Sequence, residues 1–225
     1  PVGDDIRAMA TDTREKLPLD RVVYTFDQLN PDTFLEGQLY TAWFTPLAEW
    51  HEAVYRNALA YCFFSDRTAG VYAKDVLLKV SGFPSWQHPW TVKMGWYSYY
   101  AVSEAGKYFA LAYDMLYDLM DDRERGEVRR ALLEKVVIPC HKGYVEQNRI
   151  ASNTSNWIAM LVGGSLMCMA AIYDDDPDET PLEPYFTGAV MKYADMIEKS
   201  VDPTGAYGEG GYFNVTFRAW NDNLP

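Results

Sequence analysis

Residues 46–64 read PLAEWHEAVYRNALAYCFF, and their spacing decides the fold class. Leu47, Trp50, Val54, Ala58 and Tyr61 recur at steps of three and four, the period of one helical face. Pro46 suits a first helical turn, where a missing N–H costs nothing. Working outward, the same period continues. Residues 68–80 carry Val71, Val76 and Leu77 and are closed by Gly82-Phe83-Pro84. A long helix is expected over 98–120, burying Phe109, Ala112, Tyr113, Leu116 and Leu119. Asp121 and Asp122 cap the next, whose apolar positions Val128, Leu132, Leu133, Val136 and Val137 run up to Pro139. Ser155 opens a helix reaching Tyr173, with Gly163-Gly164 permitting close approach of a neighbour, and residues 182–201 form the last. The longest strand-like run is Val22–Phe26.

Six or seven helices joined by short loops imply antiparallel hairpins and an all-α fold. No fixed-period repeat is present, which disfavours the solenoid families. The expected architecture is therefore an incomplete (α/α) toroid, a single domain over residues 1–225. Its parts are an irregular N-terminal segment (1–44), the helical hairpins (45–201) and a glycine-rich stretch (202–225). A chain that opens at Pro1 and closes at Asn221–Pro225 reads as a fragment of something larger.

Composition narrows the function. The 225 residues are 48% hydrophobic and 23% charged, the balance of a globular chain. Lys plus Arg is 20 against 32 for Asp plus Glu, a formal charge of -12, so phosphate backbones are repelled and no nucleic acid partner is expected. No apolar run approaches the ~20 residues of a membrane helix, so no membrane partner is expected either. Cys62, Cys140 and Cys168 form no CxxC pair, which excludes a disulfide scaffold and a cysteine-rich zinc site; each is expected to pack as a small apolar group. The acidic turn at 174–179 does not match a calcium loop, no His pair has ligand spacing, and no metal or cofactor is implied.

Aromatic residues make up 15% of the chain and are densest at Ser85–Trp90 and Trp96–Tyr100. Such rings either pack a core or offer faces to sugar C–H groups. Trp86, Trp90 and His88 between them are candidates for a cleft, whereas His51 and His141 read as structural.

Two clusters carry possible chemistry. In Asn148–Trp157, at a helix start, Asn153 or Ser155 serves as cap. Asn156 falls inside the first turn, where a side-chain amide and exposed N–H groups together favour a carboxylate; Trp157 follows it, and Arg149 offers a cation nearby. In Gly205–Phe213, four glycines let backbone approach a ligand, Tyr207 and Tyr212 are acid/base candidates, and Glu209 could orient either.

Three features in order carry a resemblance: Tyr113-Asp114 with Asp118; the Asn156-Trp157 helix with Gly163-Gly164 and Ala170-Ala171; and Asp202, Gly205, Glu209-Gly210 and Tyr212. Over about residues 45–217 the chain resembles the helical domain of heparinase II/III-type polysaccharide lyases. The resemblance implies β-elimination on a uronate-containing glycan and a C-terminal β-sandwich beyond the helical part. It implies an acidic polysaccharide as partner and a secreted or periplasmic location. Asn156, with Asn153, would neutralise the uronate carboxylate, and a tyrosine would act as acid and base. The family more commonly leaves two residues between Glu-Gly and that tyrosine, which falls on Phe213 here, so Tyr212 and Tyr207 are both candidates. Trp157 takes the place of the family's usual histidine beside the asparagine. Two rival readings stay open: an α/α-barrel glycoside hydrolase using Asp114, Asp118 and Glu209, or a non-catalytic glycan-binding domain.

Overall fold

The computed structural model describes residues 2–32, 39–150, 154–174 and 181–201. Among these the regular elements are all helical and no strand is present. The chain divides into two compact units, Pro1–Gly95 with Tyr108–Leu132 and Trp96–Lys107 with Leu133–Pro225.

The first unit is organised by a hairpin of α2 (Thr45–Phe64) and α3 (Arg67–Ser81). Ser65 turns the chain in the left-handed region at φ 55°, and Asp66 caps α3 by accepting the Ala69 N–H at 3.0 Å. Gly70 lets the helices meet closely: a Cβ there would lie 2.7 Å from the Tyr61 ring and 2.8 Å from Leu119. The expected irregular segment 1–44 is corrected over its beginning, because Val2–Lys16 form α1 and pack on α2. Buried Asn57 ties the two, donating to Thr13 Oγ1 (2.9 Å) and the Ala53 carbonyl (2.8 Å) and accepting from Arg14 (2.6 Å). The strand-like run Val22–Phe26 is not a strand. Val22 and Phe26 are buried, and Phe26 lies 5.3 Å from the Trp50 ring, so its apolar residues complete a helical core. Rings of this kind, each removing roughly 150–250 Å² from water, dominate such a core.

A short α4 (Pro89–Lys93) interrupts the loop expected after Pro84. Helix α5 is shorter than the expected 98–120. It spans Tyr100–Met115, giving its first half to the second unit and its second half to the first, and a 3-10 turn at Tyr117–Leu119 follows. At the start of α6 (Asp122–Leu132), Asp121 and Glu124 form a reciprocal capping box: Asp121 Oδ1 accepts the Glu124 N–H (2.8 Å) and Glu124 Oε2 accepts the Asp121 N–H (3.0 Å). Lys74 on α3 donates to Glu124 at 2.8 Å, docking α3 against α6.

Helical structure does not stop before Pro139, as the sequence suggests it should. It continues through a π-helical turn (Leu133–Val137), α7 (Ile138–Cys140) and a second π-helical turn (His141–Glu146). Proline lacks an N–H and its ring crowds the carbonyl four residues back; wider turns on both sides accommodate it.

The second unit is built on α8 (Asn156–Ile172), apolar on every side, with α9 (Glu183–Ser200) and the π-helical turns packed against it. Gly164 on α8 meets the Ser103 carbonyl of α5. Gly106 similarly faces Val136 and Cys168, where a Cβ would lie 2.7 Å and 3.2 Å from their side chains. Cys140 and Cys168 pack as small apolar groups, as expected, whereas Cys62 is exposed. No helix among the described residues is long and apolar enough to cross a membrane.

Candidate functional site

The chemistry-bearing residues of the second unit converge at the N-terminus of α8. Ser155 caps it, its Oγ accepting the Trp157 N–H at 3.2 Å. The same hydroxyl donates to Asn156 Oδ1 at 3.4 Å, which orients the side-chain amide. Asn156 is half-buried at the first helical position, where the helix dipole favours negative charge.

Trp157 beside it is enclosed by three rings of the 96–100 segment. Its centroid lies 4.9 Å from Tyr99, 5.2 Å from Tyr100 and 5.8 Å from Trp96, with tilted or edge-to-face geometry. Tyr144 supports this segment from the interior, its hydroxyl donating to the Ser98 carbonyl at 2.8 Å. Burial pushes the Tyr144 phenol well above its ordinary range, so it serves as a fixed neutral donor.

Cations gather at the same place although the chain carries a net charge of -12. Exposed Arg149 lays its guanidinium 3.7 Å from the centre of the Trp96 ring. Lys142 Nζ lies 4.5 Å from the Tyr97 ring centre. Lys192, on α9, donates to Asn148 Oδ1 at 2.6 Å and to the Ile150 carbonyl at 3.3 Å. The arrangement combines aromatic rings, a side-chain amide and positive charge. It can hold an anionic ring compound and stabilise negative charge on it.

The other sequence candidates fare differently. Trp86 and His88 belong to the interior of the first unit, each 1% exposed, and neither offers a face to a polymer. Trp86 donates its indole N–H to the Val80 carbonyl (2.9 Å), and its backbone carbonyl accepts from the Trp43 indole N–H (2.8 Å). His88 caps α4, its Nδ1 accepting the Trp90 N–H at 2.9 Å, and burial lowers its pKa, so the ring is neutral there. Reading them as cleft residues is corrected to a structural role; Trp90 is half-buried in the same unit. His51, read as structural, stacks on Tyr108 at 4.7 Å. Asp114 and Asp118 are exposed in the first unit. Asn153, Tyr207, Glu209 and Tyr212 lie outside the described residues.

The individual roles of Trp96, Tyr99, Tyr100, Tyr144 and Lys192 were not legible beforehand. The density of rings at 96–100 was the available signal for three of them; nothing in the sequence marks Lys192. Among the described residues no group of three His, Cys, Asp or Glu side chains is placed to hold a metal ion. No family model and no curated protein sequence matches this chain.

Proposed function

We propose that the chain is the helical portion of a polysaccharide lyase that cleaves a uronate-containing glycan by β-elimination. The observation that carries this reading is the place of Asn156 at the first turn of α8, next in sequence to Trp157, whose aromatic neighbour Trp96 bears Arg149. Sugar C–H faces pack on such rings, and a local cluster of cations on an acidic protein favours a moderately anionic polymer over a densely sulfated one.

The chemistry follows from the acidity problem. A uronate C5–H is too weakly acidic to lose while the carboxylate keeps its full charge. Donors from Asn156, with Asn153, stabilise the charge that develops as an enolate-like intermediate forms. A deprotonated tyrosine takes the C5 proton, and Tyr212 or Tyr207 returns a proton to the departing O4. The product has an unsaturated sugar at its new non-reducing end. In this reading the hairpins are members of an incomplete (α/α) toroid, completed by a β-sandwich domain, in a secreted or periplasmic enzyme.

The test is absorbance near 235 nm with a panel of uronate polymers, comparing the protein with Asn156→Ala and Tyr212→Phe. A rise lost in both variants is the expected result. New reducing ends without absorbance would replace the lyase by a hydrolase. Binding without turnover would leave a glycan-binding domain.

A further inference from the structure

The turn that carries Arg149 is held in an unusual way. Gln147 N–H donates to the Lys142 carbonyl (3.2 Å) and Arg149 N–H to the Gly143 carbonyl (3.1 Å), closing the end of the π-helical turn. Between them Asn148 sits in the left-handed region at φ 48°, which side-chain-bearing residues seldom adopt without support. That support comes from Lys192, eight residues before the end of α9, whose ammonium binds both Asn148 Oδ1 and the Ile150 carbonyl and so brackets Arg149 on either side. Asp195, one turn further along α9, contributes an opposing charge, yet burial lowers the Lys192 pKa overall.

We propose that the Arg149–Trp96 stack is a subsite for the carboxylate of a uronate ring, and that Lys192 is the positioning residue that sets it. The proposal rests on the glycan reading above. The Arg149 guanidinium carbon lies 3.7 Å from the Trp96 ring centre, within stacking distance, and the guanidinium's planar fork of N–H groups matches a planar carboxylate. Through Trp96 the stack is continuous with Trp157, the residue that follows Asn156 on α8, so the subsite is a second contact for an acidic chain.

The experiment is NMR of the full chain with labelled arginine and tryptophan, titrated with oligosaccharides of alginate and of polygalacturonate and with their carboxyl-reduced forms. Without ligand, the Arg149 side-chain signals are expected upfield, shifted by the Trp96 ring current. Lys192→Met should abolish that shift, Lys192→Arg restore it, and Asn148→Gly, which keeps the backbone conformation but deletes the acceptor, reproduce the loss. An unchanged shift in both Lys192→Met and Asn148→Gly overturns the positioning role. With an acidic oligosaccharide, the Arg149 and Trp157 signals should move together, with carboxyl-reduced ligand moving Trp157 alone, and Lys192→Met should weaken binding about tenfold. Movement of Trp157 without Arg149 in the acidic titration keeps the glycan reading and overturns the subsite. If no oligosaccharide moves either signal, the glycan reading falls and the subsite with it.

Discussion

Gly164 of α8 faces the backbone of Ser103 so closely that a Cβ at residue 164 would lie 2.5 Å from the Ser103 carbonyl oxygen. The contact explains a paired glycine in an otherwise apolar helix: hydrogen at this position is what lets α5 and α8 touch. Gly164→Ala should therefore destabilise the protein by about 1–3 kcal/mol in chemical denaturation, since backbone and not a flexible side chain must yield. Gly126→Ala is the control. Nothing stands within 4 Å of a Cβ there, and replacing a glycine inside a helix should stabilise by up to about 1 kcal/mol.

Acid sensitivity should report on the capping box. The Glu124 N–H bond holds the Asp121 carboxyl below its ordinary 3.8, and the Lys74 bond holds Glu124 below its ordinary 4.5. Both values are lower in the folded state, so their stabilisation is complete above 4.5 and is lost as pH falls through the folded values. The melting temperature should fall on that acid side. Asp121→Ala should lower stability at neutral pH and make the acid-side fall shallower.

Thiol reactivity should separate the three cysteines. Burial pushes the Cys140 thiol up to about 12 and Cys168 higher still, while Cys62 is exposed. A disulfide-exchange reagent near pH 8 should modify Cys62 alone in the native protein, and all three after denaturation. Native modification of Cys140 or Cys168, read by peptide mass, would contradict the packing around α8.

Two tryptophans should part company in binding assays. Trp157→Ala should weaken uronate oligosaccharide binding about tenfold, or ~1.4 kcal/mol. Trp86→Phe should leave that affinity unchanged and lower stability, because it removes an interior bond to Val80 and part of a buried ring. Tyr144→Phe probes the support beneath the site. It should cost about 0.5–1.5 kcal/mol of stability through the lost bond to Ser98.

Much of the helical scaffold was readable in advance, because amphipathic spacing is a local property. The helices expected at 46–64, 68–80, 155–173 and 182–201 match α2, α3, α8 and α9 to within about two residues at each end, the margin within which helix ends are defined. The failures share one cause. Pro139 reads as a stop by propensity, yet neighbouring turns widened to keep the helical run going. Residues 2–16 have too few apolar positions to announce a helix, and packing on α2 through Asn57 stabilises one.

The site divides the same way. Sequence alone placed Asn156 at the start of a helix, since a Ser cap and the period that follows are local signals. It also marked 96–100 as aromatic, without indicating whether those rings face a core or a ligand. That choice depends on which side chains meet across distant segments. Trp86 and His88 went to the interior because Trp43 and the end of α3 supply their partners; Trp96, Tyr99 and Tyr100 came together around Trp157. The bracketing of Arg149 by Lys192 joins residues more than forty positions apart. No local pattern encodes it, because only packing of α9 in the second unit brings the ammonium to the turn.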